Sequence, residues 1–317
     1  MTYSSINNLI RHVTLRQLQI FEMVVRLGGY TRAAQALHLT QPTVSMQIKK
    51  LSEALGLPLL EQVGRHVQPT AVGRDVYAAA QEILGRMMAL EDSASERQGV
   101  VKGDLHIAVI TTAKYFMPRL LGAFIAQHPQ VKPRLTVTNR AKVLQRLKSN
   151  EDDLLIMGQV PDQLEVEAHP LIDNELVVVA SPDHPLVNEE HITLKKLSEE
   201  RFLVREMGSG TRQAVDRLLV EQDIKVIPYM ELGSSEAIKQ GVMAGLGISV
   251  LSRRNLRLEL ANNHIVILNV NGFPLIRRWY AVHLKKKRLS LVAYTFLEFI
   301  LAESNHILSD APIQYKV

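Results

Sequence analysis

Pro42 sits between two stretches that both repeat at the helical period, and it constrains how TRAAQALHLTQPTVSMQIKKL, residues 31–51, can fold. A proline inside a helix costs roughly 3 kcal/mol, so this is not one helix. In the first turn of a helix its missing N–H costs nothing, because the first amides have no partner there. Thr40 is then the expected cap of a helix whose first turn holds Pro42. Thr31 is expected to cap the segment before it, with Ala33, Ala34 and Leu37 on the buried side. Further upstream, LRQLQIFEMVVRLG repeats apolar residues at Leu15, Leu18, Phe21 and Val24 or Val25. Thr14 is its expected cap and Gly28-Gly29 its end.

The helix after Pro42 puts Val44, Ile48 and Leu51 on one face. Its remaining positions carry Gln41, Thr43, Ser45, Gln47, Lys49 and Lys50. Two helices joined by a tight turn, the second with such a face, make a helix-turn-helix. Amides and hydroxyls can bond base edges in the major groove, and lysines neutralise phosphates. A three-helix bundle with a merely polar surface is the plainer alternative. Residues 57–70, LPLLEQVGRHVQPT, read as a short hairpin, or wing, with Gly64-Arg65-His66 at its tip. Arg65 and His66 could reach phosphate or the minor groove, with a solvated turn the alternative for His66. Arg32 and Pro42 complete the expected DNA-contacting set.

Charge supports this reading. Residues 1–74 hold eight Lys/Arg against three Glu, a surplus equal to the formal net charge of +5 for all 317 residues. A basic end on a neutral body suits a polyanion. With no cysteine, disulfides, thiolate metal sites and cysteine nucleophiles are excluded. No secretory signal and no run of about 18 apolar residues is found, so a cytoplasmic location with no membrane partner is expected.

From Thr70 to about Arg97 no proline intervenes, and Val72, Val76, Ala79 or Ala80, Ile83, Met87 and Leu90 form one stripe. A long helix between domains has little to bury against except a copy of itself, so it reads as a dimerising linker. SERQGVVKGD, 95–104, is the boundary. Beyond it, short apolar strands alternate with helices, among them LHIAVI (105–110), LLIMG (154–158), ELVVVAS (175–181), RFLVRE (201–206), GISVLS (247–252) and RRWYAVHL (277–284). This pattern implies a parallel, doubly covered α/β sheet in two lobes with a cleft between them. The expected division is a winged helix-turn-helix over 1–70, a linker helix over 71–97 and an effector-binding domain over 98–317. Within the last, lobe I covers about 104–168 plus 267–317, and lobe II about 169–266.

Two loops look chemically competent. In REMGSGTRQAV, 205–215, Gly208 and Gly210 permit a sharp turn into a helix opened by Thr211. Free amides there, with Ser209, Thr211 and Arg212, suit a carboxylate or phosphate. In TTAKYFMP, 111–118, Thr111, Thr112 and Lys114 follow the first strand, and Asn139 and Arg140 end another. Catalysis finds little support: the eleven histidines show no HxxxH pair, there is no GxSxG elbow, and Asp152-Asp153 is expected in a solvated loop. No catalytic residue, metal site or resident cofactor is expected.

The stretch LRQLQIFEMVVRLGGYTRAAQALHLTQPTVSMQIKKLSEALGLPLLEQ resembles the DNA-binding domain of LysR-type transcriptional regulators. Within that family TTAKYFMPRLL, FLVREMGSGTR and SSEAIKQGVMAGLGISVLSR look most like the CbbR/RbcR group, regulators of carbon-fixation operons. The resemblance implies a winged helix-turn-helix, a dimerising helix and a periplasmic-binding-protein-like effector domain. It also implies a homotetramer, a dimer of dimers, on double-stranded promoter DNA, with RNA polymerase as a further partner. The implied effector is a phosphorylated sugar or related metabolite. Most of the wider family carries arginine where Gln62 stands, so that wing contact is either absent or moved to Arg65. The competing reading is a cytoplasmic α/β enzyme acting on a phosphorylated or carboxylated metabolite. A transport-type binding protein fits poorly without a signal sequence.

Overall fold

The computed structural model describes residues 11–63, 66–97 and 100–309. The chain forms two compact units, Met1–Gln98 and Gly99–Val317.

In the first unit, α1 (Leu15–Leu27) opens with a capping box, in which the Thr14 hydroxyl accepts from the Gln17 amide and the Gln17 side chain accepts from the Thr14 amide. It ends at Gly28, whose φ of 66° lies in the left-handed region that favours glycine. The second helix, α2 (Tyr30–Ala36), is capped by Gly29, not by the expected Thr31. Gly29 already makes the turn out of α1, so the helix begins one residue before Thr31 and absorbs it into the first turn. The third, α3 (Gln41–Leu55), starts at Thr40 with Pro42 in its first turn, as the sequence dictates. Phe21, Val24, Ala33, Val44, Ile48 and Leu51 form the buried core of the three. A hairpin of β1 (Leu60–Val63) and β2 (His66–Pro69) follows in antiparallel register. Its connecting residues 64 and 65 lie outside the described residues, and with them the expected Arg65 contact.

Thr70 accepts from the Gly73 amide at 3.0 Å and starts α4 (Ala71–Arg97). A Cβ at Gly73 would lie 2.0 Å from the Leu59 carbonyl oxygen, so only glycine lets this helix pack so close to the hairpin. The apolar stripe of α4 divides in two. Val72, Val76 and Ala80 join the three-helix core, whereas Ile83, Met87 and Leu90 are exposed, Leu90 by 65%.

The second unit is built on one nine-stranded sheet in the order β4-β3-β5-β11-β6-β9-β7-β8, with β10 beside β6. These strands are β3 (Gly103–Ile110), β4 (Val131–Thr138), β5 (Leu154–Met157), β6 (Val166–Ala180), β7 (Phe202–Arg205), β8 (Pro228–Leu232), β9 (Ile248–Ser252), β10 (Val266–Ile267) and β11 (Leu275–Leu284). The sheet is mixed, which corrects the expected parallel one. Strands β3, β4 and β5 are parallel, as are β7, β8 and β9, but β6 and β11 run antiparallel to their neighbours. Both are long because each runs through both lobes. Pro170, Asp173 and Asn174 interrupt the apolar pattern of β6, so only its second half reads as a strand in the sequence.

Helices cover both faces of each lobe. In lobe I, α5 (Met117–Gln127) and α11 (Leu291–Leu308) bury one face around Phe124, Trp279 and Phe296, and α6 (Arg140–Lys148) buries the other with Val143 and Leu147. In lobe II, α7 (Leu194–Leu197) and α8 (Gly210–Glu221) cover one face, and α9 (Ser235–Met243), followed by the short α10 (Arg257–Ala261), the other. Asp152-Asp153 is not solvated. Asp152 is buried and takes both 2.7 Å bonds of a bidentate pair with Arg146, and Asp153 accepts from the His106 amide. Two carboxylates needed to hold a loop against β3 and α6 are unavailable for catalysis.

Candidate DNA-binding face and effector pocket

On α3 the period of 3.6 turns Pro42, Ser45, Met46, Lys49 and Lys50 to solvent, opposite the buried Val44, Ile48 and Leu51. Gln41 is exposed at the N-terminal end, and Thr43 and Gln47 are half-buried at the flanks. The Thr43 hydroxyl lies 2.8 Å from that of Thr40, so its first role is in the cap. Lys49 pairs loosely with Glu53 at 3.8 Å, whereas the Arg32 guanidinium donates to the Gly28 carbonyl and braces the end of α1. Met46, 47% exposed at the centre of the face, was missed because an apolar residue carries no obvious hydrogen-bonding role. It offers apolar contact of the kind a thymine methyl takes.

In the second unit the C-terminal ends of β3, β4, β5 and β7 converge on a cavity of about 40 Å³. Thr111, Thr112, Asn139, Arg140, Ser209, Gly210 and Thr211 all line it, as expected. Lys114, Gly208 and Arg212 do not. Lys114 lies 5.0 Å from the Tyr115 ring centre, and the Gly208 φ of 87° serves the turn. Arg212 donates to the Arg205 carbonyl at 2.9 Å and to Glu231 at 2.8 Å, so its charge ties α8 to β7 and β8.

Other lining residues escaped the sequence reading, among them Arg205, Glu206, Asn174, Arg277 and Trp279. They lie in or beside strands whose apolar pattern hides a polar position facing a cleft. Arg205, buried, pairs with Glu206 through two bonds of 2.7 and 2.9 Å, and also donates to Ser235 and Thr111. Arg140 donates to the Gln159 carbonyl at 3.1 Å. Burial holds the Arg140 guanidinium below its ordinary pKa, and nearby Arg277 pushes the same way. Arg277 is lowered too, first by burial and then by Arg217. Glu206 is the only carboxylate of the lining and is already paired with Arg205. Two cations thus share a pocket whose lining carboxylate is already taken, and Asp162 only partly offsets the lowering of Arg140. The N-termini of α6 and α8 open on the same space, and Ser209 caps α8 without a side-chain bond. Asn174 Oδ1 and Trp279 Nε1 are buried and have no hydrogen-bond partner. An anion with further polar groups would satisfy all of these at once.

Comparisons with known proteins identify both parts of the chain. Residues 15–74 match the bacterial regulatory helix-turn-helix protein model of the lysR family, and residues 98–305 match the LysR substrate binding domain model. The chain is 44% identical over 298 residues to the HTH-type transcriptional activator CmpR of Synechocystis sp., covering 94% of this chain and 98% of that one. It is 46% identical over 293 residues to the RuBisCO operon transcriptional regulator of Allochromatium vinosum, covering 92% and 97%. Among solved structures, the regulatory domain of Synechocystis CcmR in complex with 2-PG matches with a TM-score of 0.61 and 46% identity, covering 63% of this chain and 97% of that one. Full-length OxyR from Pseudomonas aeruginosa, 24% identical, shares the fold over 93% of this chain and 95% of that one, with a TM-score of 0.71. These relatives regulate transcription, which sets aside the enzyme reading. With its helix-turn-helix and its substrate-binding domain both matched, the chain belongs to the LysR family of DNA-binding transcriptional regulators.

Proposed function

We infer that this regulator controls carbon-fixation genes and senses a small phosphorylated metabolite of the 2-phosphoglycolate type. The observation that carries the reading is the pair Arg140 and Arg277, which share one pocket whose lining carboxylate, Glu206, is already paired with Arg205. The names of the relatives and the 2-PG bound to the CcmR domain support the same class of signal. Arg140 and Arg277 would hold the ligand's phosphate, with the amides of Gly210 and Thr211 and the hydroxyls of Thr111, Thr112 and Ser209 around it.

On DNA, Gln41, Ser45 and Gln47 would read base edges, with Thr43 and Pro42 beside them, while Lys49, Lys50, Arg65 and Arg32 lie near phosphates. The exposed Ile83, Met87 and Leu90 of α4 support pairing with the same helix of a second chain, the first step to a dimer of dimers acting on cytoplasmic promoter DNA. Recruitment of RNA polymerase from that assembly is part of the same reading. The ligand would act on DNA by favouring one arrangement of subunits, a coupling of typically about 1–3 kcal/mol. Nuclease footprinting of the full chain on a carbon-fixation promoter, with and without 2-phosphoglycolate, tests this. A footprint that changes length or internal cleavage on adding the ligand supports it, and an identical footprint at saturating ligand refutes it.

A further inference from the structure

Away from the effector pocket, the pairing of β6 with β11 brings Glu167, His169 and His283 together. Glu167 and His169 are two apart on one strand and share a face. The antiparallel register sets His283 opposite Glu167 and Ala281 opposite His169, which turns His283 to that same face. Their ligand atoms all lie within 4.8 Å of one another. No local motif announces this, because the two histidines sit on strands far apart in the chain.

The surroundings of the two rings leave one nitrogen of each for a ligand role. His283 Nδ1 lies 3.0 Å from the Leu284 carbonyl oxygen. A carbonyl only accepts, so Nδ1 carries the proton and the neutral ring keeps a lone pair on Nε2. That Nε2 lies 3.5 Å from Glu167 Oε2. His169 Nε2 is buried and has no hydrogen-bond partner. The two rings stack at 5.7 Å with 20° between their planes. Ala281, the small residue facing His169, is fully buried beside them.

We propose that Glu167, His169 and His283 bind one divalent transition-metal ion of the zinc class, with water as the remaining ligand. Two imidazoles and a carboxylate suit zinc, cobalt or nickel more than magnesium or calcium, which take oxygen donors. Ligand bonds of about 2.0–2.2 Å require the three atoms to draw closer than 4.8 Å. Glu167, whose side chain is 48% exposed, is free to swing inward, and water enters from its side. The ion would clip β6 to β11 within lobe I, on the two strands that continue into lobe II.

The test uses the full chain, free of any affinity tag and stripped with chelator, titrated with Zn²⁺ by calorimetry and with Co²⁺ by visible absorption. One equivalent of Zn²⁺ per chain, a raised Tm and the intense visible bands of a four-coordinate Co²⁺ centre are expected. Glu167→Gln changes only an exposed charge and should fold normally; it and His169→Gln should each weaken Zn²⁺ binding at least about tenfold. Neither residue lines the effector pocket, so calorimetry with 2-phosphoglycolate on each variant checks folding where the wild type binds it, and Tm does so otherwise. A wild-type chain that takes up no Zn²⁺, or variants that bind it as the wild type does, would overturn the proposal.

Discussion

The Arg205 guanidinium and the Thr111 hydroxyl meet across the cleft at 3.2 Å. Arg205 ends β7 in lobe II and Thr111 follows β3 in lobe I, so the bond joins the lobes at the edge of the pocket. Tyr115 and Glu236 form a second such bond at 3.1 Å. Burial pushes the Tyr115 phenol up to about 12, so it stays a donor at any physiological pH. Thr111→Val keeps the shape and removes the hydroxyl. It should cost the effector domain about 0.5–1.5 kcal/mol in urea denaturation, the net worth of one hydrogen bond.

Arg212 separates structure from recognition. Its guanidinium is committed to the Arg205 carbonyl, Glu231 and Asp216. Arg212→Ala should therefore lower stability by about 1–2 kcal/mol. Effector affinity in calorimetry should shift far less than for a lining arginine. A large loss of affinity with unchanged stability would return Arg212 to the site.

The pH dependence of effector binding has a definite sign. Arg140 and Arg277, though lowered, remain cations across the accessible range. The phosphate of a monoester loses its second proton near pH 6. Affinity should thus rise as pH rises from about 5.5 to 7 and then level off. A flat profile over that window would show that the phosphate does not face the two arginines.

For assembly, Ile83→Asp places a charge in the exposed stretch of α4. Light scattering should show a shift toward smaller species, and operator binding should lose its cooperativity. Unaltered mass would remove α4 from the interface.

On DNA, Gln41→Ala should cost about 1–3 kcal/mol on the cognate site and relax specificity there. Lys50→Ala should weaken all sequences alike and reduce the salt slope by about one. Operator titrations over a salt series separate the two.

Much of this was legible in the sequence where the information is local. Thr40, Pro42 and the Val44-Ile48-Leu51 stripe lie within one short segment, so cap, turn and buried face follow from spacing alone. The GSGT turn and the strand ends at Thr111 and Asn139 were found for the same reason. Arg205 and Arg277 were not. Each is a charged residue in or ending a strand, and only the pairing of distant strands shows that it faces a cleft. The first half of β6 was missed because Pro170, Asp173 and Asn174 break its apolar rhythm, yet Asn174 belongs to the pocket. Arg212 misled in the other direction: a basic residue beside a glycine turn reads as an anion contact until Glu231, on another strand, claims it.

The most direct test of the central claim is calorimetry of 2-phosphoglycolate with the full chain and with Arg277→Gln. Arg277 lines the pocket and has no ion-pair partner among the described residues, so its loss removes a charged contact without breaking another. The account predicts one ligand per chain for the wild type. It predicts affinity weakened by about 10- to 100-fold in the variant, the worth of a charge-assisted hydrogen bond, with unchanged Tm in the absence of ligand. Equal affinity in both chains, or no binding to the wild type, would contradict it.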